Sequence, residues 1–265
     1  MVLGIDIGNT NIKYGVFDGE KIVESFRVTS RLSRTADEYG AVLVNLLKDK
    51  GIEKKDVDGI IISSVIPPLN YTMCHMCEYF FGITPLMVGP GIKTGLNIKV
   101  ENPKEVGADR IVNSVSAINK YGYPIIVVDF GTATTFNVID GSGALIGGVI
   151  APGVKTALES LVHNTAQLPM IELKAPRKVI SKTTEGNMQA GIIFGFAGLV
   201  DNIVAKIRHE YGDENMNVIA TGGQGEIIAK ESKTIRLVDR KLTLDGLRII
   251  YNLNNEAKET KQIRR

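Results

Sequence analysis

The sequence predicts a duplicated mixed α/β fold, and three observations carry that prediction. A short apolar run entering D-x-G occurs twice, as V-L-G-I-D-I-G-N-T-N-I-K-Y-G-V-F-D-G at the N-terminus and I-I-V-V-D-F-G-T-A-T-T-F-N-V-I-D-G in the middle. Asp6 and Gly8 match Asp129 and Gly131 at an offset of 123 residues, and Thr10 and Asn11 fall opposite Ala133 and Thr134. Each segment closes on an Asp-Gly pair, Asp18-Gly19 and Asp140-Gly141, one position out of step, and a third β-rich run follows.

Taken in order, the apolar positions Leu3, Ile5 and Ile7 make the first strand. Asp-Gly between β-rich runs marks a hairpin, because both residues accept positive φ, and Lys21 to Val28 is the third strand. Thr35-Ala-Asp-Glu38 reads as a capping box opening a helix whose apolar positions are Tyr39, Val42, Leu43, Leu46 and Leu47, with Gly51 at its end. Ile60 to Ile62 form a buried strand. Leu69, Met73, Met76 and Phe80 give an amphipathic helical pattern, and a helix runs from Arg110 towards Tyr121. In the second half the third strand is Ala144 to Ile150, a long helix runs from about Asn187 to Tyr211, and Val218 to Ala220 lead into T-G-G at Thr221 to Gly223. The expected division is 1–121, 122–254 and a polar, solvated tail over 255–265 that ends on Lys261, Arg264 and Arg265.

A chain of 265 residues accommodates two domains. Its 44% hydrophobic and 23% charged residues are those of a soluble globular protein, and a net charge of +2 gives no field favouring nucleic acid or a membrane surface. The N-terminal apolar run has no basic flank or small-residue cleavage site, and no stretch reads as long enough to span a bilayer. The expected address is cytoplasmic, without a nucleic-acid or membrane partner. Cys74 and Cys77 lie within the amphipathic pattern and lack further ligands at zinc spacing, so they read as core or half-buried thiols.

The repeated D-x-G hairpin suits phosphate binding. Gly8 and Gly131 let backbone approach a ligand, and successive N–H groups in a tight hairpin make a concave anion site. Asn9, Thr10, Asn11, Thr132 and Thr134 add short donors, and Lys13 adds a cation. Asp6 and Asp129, at strand ends, suit a hydrated metal ion. The glycines of T-G-G would let an adenosine lie on the backbone.

Together these elements resemble the type III pantothenate kinases, within the acetate kinase, sugar kinase, heat-shock-70 and actin superfamily. The resemblance rests on D-I-G-N-T-N-I-K at Asp6 to Lys13, N-P-K-E-V-G-A-D-R at Asn102 to Arg110, D-F-G-T-A-T-T at Asp129 to Thr135, G-G-V-I-A-P-G at Gly147 to Gly153, and T-G-G. It implies duplicated ribonuclease-H-like (actin-like ATPase) domains with a central cleft, and ATP-dependent phosphorylation of pantothenate in coenzyme A biosynthesis. Residue by residue, it implies that Asp6, Ile7, Gly8, Asn9, Thr10, Asn11, Ile12, Lys13 and Thr132 bind ATP. Gly107, Ala108, Asp109, Arg110 and Thr184 would bind pantothenate, with Asp109 as general base. Asp129 would hold potassium or ammonium, Mg2+ would accompany ATP, and the protein would be a homodimer. Val100 stands where many members carry a tyrosine lining the pantothenate pocket.

Read from chemistry alone, Asp109 is also a good first-turn residue for the helix that follows, where dipole and orphan N–H groups favour a carboxylate. The same place serves catalysis, with Arg110 beside it as a planar fork for a substrate carboxylate. A kinase acting on another acceptor would keep the hairpins, and G-A-D-R with Thr184 argues against it. A non-catalytic actin-like regulator would need no acceptor pocket. A two-metal nuclease of the same β-β-β-α-β plan would need more clustered carboxylates and a basic groove. His75, His163 and His209 show no triad or metal spacing.

Overall fold

The computed structural model describes residues 1–263, with side chains as far as Glu256. The chain forms two compact units. The first comprises residues 1–96, 101–116 and 242–265, and the second 97–100 and 117–241.

In the first unit, β1 (Val2–Ile7), β2 (Asn11–Asp18) and β3 (Lys21–Thr29) form an antiparallel meander, and β4 (Gly59–Ser64) and β5 (Leu86–Met87) extend the sheet in parallel beyond β1. Leu3, Ile5, Ile7, Ile12, Tyr14 and Ile62 are fully buried against α1 (Ala36–Lys48) and α2 (Pro67–Phe81). Each such side chain contributes about 2 kcal/mol of transfer free energy. The capping box at Thr35 forms as expected: Glu38 N donates to Thr35 Oγ1 at 3.3 Å, and Thr35 N donates to Glu38 Oε2 at 2.8 Å. Cys77 is buried in this core, and burial pushes both thiols above their usual range; Cys74 Sγ donates to Met87 Sδ at 3.7 Å.

The second unit repeats the plan. β7 (Ile125–Phe130), β8 (Ala133–Ile139) and β9 (Ala144–Pro152) are antiparallel, with β10 (Asn217–Gly222) and β11 (Leu237–Val238) parallel beyond β7 and the short β6 (Asn97–Ile98) added at the far edge. Its helices are α4 (Val154–His163), α5 (Thr184–Tyr211) and α6 (Gly225–Ala229). By length and composition α5 is apolar enough to cross a bilayer, contrary to the reading that no stretch is. In the fold its Met188, Ile193, Phe196, Val200 and Val204 belong to the unit's core.

Both Asp-Gly turns differ from expectation. Asp18 pairs with Lys21, so the first turn is Gly19-Glu20, and only Gly19 has positive φ (56°). Glycine at the first central position is the primed-turn geometry that matches strand twist. In the second turn the positive φ falls on Gly143 (77°), and Asp140 accepts at Oδ1 from the N–H groups of Ser142 and Ala144, both at 2.9 Å.

The largest departure is at the C-terminus. The chain forms α7 (Leu242–Ile263), so residues expected as tail are helical; Arg264 and Arg265 lie outside the described residues. Helix α7 belongs to the first unit, where it packs on β1, β2 and β4. It fits because the strands carry glycine beneath it. A Cβ on Gly4 would lie 3.4 Å from Leu247, on Gly15 3.0 Å from Leu244, and on Gly59 1.7 Å from the Tyr251 hydroxyl. Helix α3 (Ala108–Tyr121) starts in the first unit and ends in the second, so the unit boundary in α3 falls after Ser116 rather than Tyr121.

Candidate functional site

In the first unit the β1–β2 hairpin sets Asp6 directly across from Lys13. Asp6 is buried, with 6% of its surface exposed. Ser63 Oγ donates to its Oδ1 at 2.7 Å, and Lys13 Nζ stands 3.4 Å from its Oδ2. Gly8 N donates to Asn11 O at 3.1 Å, which closes the turn and leaves Asn9 and Thr10 exposed at its tip. Ile7 and Ile12 are fully buried in the core, so only their backbone can meet a ligand.

Asp109 occupies the first turn of α3 and is half-buried. Arg110 N donates to its Oδ1 at 2.8 Å. A Cβ on Gly107 would lie 2.6 Å from that same oxygen, which explains the glycine of G-A-D-R: it makes room for the carboxylate. Burial pushes the Asp109 carboxyl above its usual range, and the Asp6 charge adds to the rise. The Arg110 N–H bond and the charges of Arg110 and Lys13 oppose it. Asp109 therefore feels the electrostatics of the Asp6–Lys13 hairpin. Burial also lowers the Arg110 guanidinium from its ordinary value, against the Asp109 charge.

In the second unit the β7–β8 hairpin repeats the first with one residue fewer. Gly131 N donates to Ala133 O at 3.0 Å, and Asp129 lies across from Thr135 rather than from a lysine. That shorter turn is why the two Asp-Gly pairs are out of step. The sequence offset set Thr10 opposite Ala133, whereas the strand register sets Thr10 in the place of Thr132. Thr132 is exposed at the tip, and its carbonyl accepts from Gly153 N at 3.1 Å and Thr156 Oγ1 at 2.7 Å. A Cβ on Gly153 would lie 2.3 Å from that carbonyl oxygen, so the last glycine of G-G-V-I-A-P-G brings the start of α4 against the hairpin.

Asp129 also neighbours the T-G-G turn, because Thr221 pairs with it across β10. Gly222 has φ of 93°, and its missing Cβ would sit 2.6 Å from Asp129 Oδ1 and 2.5 Å from Phe130 O. Only glycine lets the T-G-G turn come this close to the Asp129 carboxylate and the Phe130 carbonyl. No group of three or more His, Cys, Asp or Glu residues able to hold a metal ion occurs among the described residues. Thr184 is the exposed first residue of α5, behind its cap Thr183, whose Oγ1 accepts from Gly186 N at 3.1 Å.

Within the first unit, then, Asp6 to Lys13 and Gly107 to Arg110 share one electrostatic neighbourhood; Asp129, Thr132 and Thr184 belong to the second. Sequence reasoning missed Ser63, which had a visible signal as the end of the strand after the first helix, and the close approach of Gly222 to Asp129, which had none beyond T-G-G.

A family model of type III pantothenate kinases matches residues 2–206. The chain is 49% identical to the type III pantothenate kinase of Syntrophus aciditrophicus (strain SB) over 96% of its own length and 100% of that protein. It is 47% identical to that of Halalkalibacterium halodurans, again over 96% of this chain and 100% of the relative. Among solved structures, the activator of the 2-hydroxyisocaproyl-CoA dehydratase from Clostridium difficile, with bound ADPNP, shares the fold. Its TM-score is 0.59 at 16% identity, covering 98% of this chain and 97% of that one.

Proposed function

This chain belongs to the type III pantothenate kinase family and phosphorylates pantothenate with ATP, the entry step of coenzyme A biosynthesis, and on that premise we propose which residues do the work. Asp109 is the general base. The observation that carries this is its carboxylate, held at the start of α3 by Arg110 N, fitted against Gly107, and raised in basicity by burial beside the Asp6–Lys13 hairpin. A base with a raised pKa is better matched to a hydroxyl proton than an ordinary aspartate.

The pantothenate hydroxyl gives its proton to Asp109 Oδ as its oxygen bonds to the γ-phosphorus. The bond from that phosphorus to the β–γ bridging oxygen breaks, and ADP leaves. The transition state is loose, so alignment and charge supply most of the acceleration. The tips of both hairpins present backbone N–H groups to the phosphates, those of Asn9 to Asn11 in the first and Thr132 in the second, with Gly8 letting the backbone come close, and Lys13 adds positive charge. Arg110 holds the pantothenate carboxylate through its planar fork, and Thr184 contacts the same substrate.

Asp129, beside the T-G-G turn, would hold a monovalent cation, potassium or ammonium, and Asp6 would stand near Mg2+ accompanying ATP. Such cations supply charge neutralisation at the phosphates. The protein works in the cytoplasm as a homodimer; Met170, Val179 and Ile180, exposed before α5, offer apolar surface for a second copy.

The test is Asp109→Asn assayed for pantothenate-dependent ADP release. Turnover falls by about 10²- to 10⁴-fold while ATP binding is kept. Near-full turnover would remove Asp109 from the base role.

A further inference from the structure

Each phosphate hairpin is tethered from outside by the end of its own third strand. In the first unit Ser30, just past β3, donates twice: its N–H to Thr10 O at 3.0 Å and its hydroxyl to Gly8 O at 2.5 Å. In the second unit Gly153, just past β9, donates its N–H to Thr132 O at 3.1 Å, and the Thr156 hydroxyl reaches the same carbonyl at 2.7 Å. Strand register makes Thr10 and Thr132 equivalent, and likewise Ser30 and Gly153. The duplicated halves thus keep the same backbone tether and add a hydroxyl at different places.

A trans peptide is planar, so its N–H points opposite to its C=O. The peptide bonds here are trans; among the described residues the cis bond is Tyr123–Pro124. Fixing Gly8 O and Thr10 O towards Ser30 therefore turns the Asn9 and Asn11 N–H groups away from β3. Fixing Thr132 O towards α4 turns the Ala133 N–H away from β9. A hairpin tip of small polar residues has few contacts of its own to hold these orientations, and preorganised donors stabilise charge without reorganisation cost.

We propose that Ser30 and Thr156 are positioning residues for phosphate binding: their hydroxyls lock the peptide planes of the two hairpin tips so that the N–H groups face the phosphates of ATP. This rests on the reading that the hairpins bind those phosphates. Neither residue touches substrate; each acts through a carbonyl. The hydroxyl of Ser30 holds the turn at its entry and that of Thr156 at its exit, so loss of either loosens one tip only.

The test uses the full-length enzyme with Ser30→Ala, Ser30→Thr, Thr156→Val and, as a control, Lys13→Met. Steady-state constants are measured for ATP and pantothenate, with calorimetric binding of ATP and of adenosine. Losing one neutral hydrogen bond that orients donors raises the ATP KM about fivefold for Ser30→Ala and for Thr156→Val. Pantothenate KM and adenosine binding stay at the parent values, and Ser30→Thr restores the ATP KM. If Lys13→Met weakens ATP while Ser30→Ala and Thr156→Val do not, the hairpin reading stands and the positioning role is overturned. If both hydroxyl variants weaken ATP, adenosine and pantothenate alike with a lowered unfolding midpoint, the tether is merely structural and the proposal fails. If Lys13→Met leaves ATP binding intact, the hairpin reading falls and this inference falls with it.

Discussion

The two D-x-G hairpins share a strand order, a glycine turn and a tether, yet they differ in what faces their aspartates. Asp6 is buried, bonded by Ser63 and set across from Lys13. Asp129 is half-buried, set across from Thr135, and its Oδ1 lies close against Gly222. One copy neutralises its carboxylate with a side chain of the protein. The other carries a neutral threonine at that cross-strand position and lies against the T-G-G turn. Duplication supplied two similar turns, and one cross-strand position divides their electrostatic roles.

Three outcomes would break or sharpen this contrast. Removing the charged partner should cost most. Lys13→Met raises the ATP KM on the order of thirtyfold, because a charged contact is worth about 1.5–3 kcal/mol, whereas Thr135→Val changes it about twofold. Equal effects in steady-state assays would erase the distinction. Next is the reverse exchange. Thr135→Lys places a cation opposite Asp129, and the potassium concentration for half-activation rises about tenfold or the dependence is lost. An unchanged potassium titration would remove Asp129 from cation binding.

The smallest effect is a shift in a pH profile. As the proposed base, Asp109 must be ionised to accept a proton, and its pKa is raised, first by burial and then by Asp6. Activity is present above that pKa and is lost as pH falls through it, so the acid limb of kcat/KM lies above the ordinary aspartate value of about 3.9. Lys13 lowers this pKa, so Lys13→Met moves the limb to higher pH and Thr135→Val leaves it in place. A limb that ignores both variants would detach Asp109 from the first hairpin.

Much of this was legible in residues. D-x-G twice, the Thr35–Glu38 capping box and the apolar alternation gave strands and helices close to those observed, because each signal is local. The turns were misplaced by a residue or two because Asp-Gly is compatible with several registers, and cross-strand pairing decides among them. Helix α7 escaped because its polar second half reads as solvated chain, while its reason to exist lies some 200 residues away, in Gly4, Gly15 and Gly59, as the register and the numbering make plain. Within the candidate site, Asp6, Lys13 and Asp109 announce themselves by type and spacing. Ser30 and Thr156 do not: a serine after a strand and a threonine in a helix's first turn have no motif, and only folding shows that they meet carbonyls.

The placement of α7 also bears on synthesis. A nascent chain lacking residues 242–253 exposes the glycine-lined face of β1, β2 and β4, with no Leu244, Leu247 or Tyr251 to cover it. The first unit to leave the ribosome is therefore the last to be completed, and the second, contiguous but for β6, is able to consolidate ahead of it.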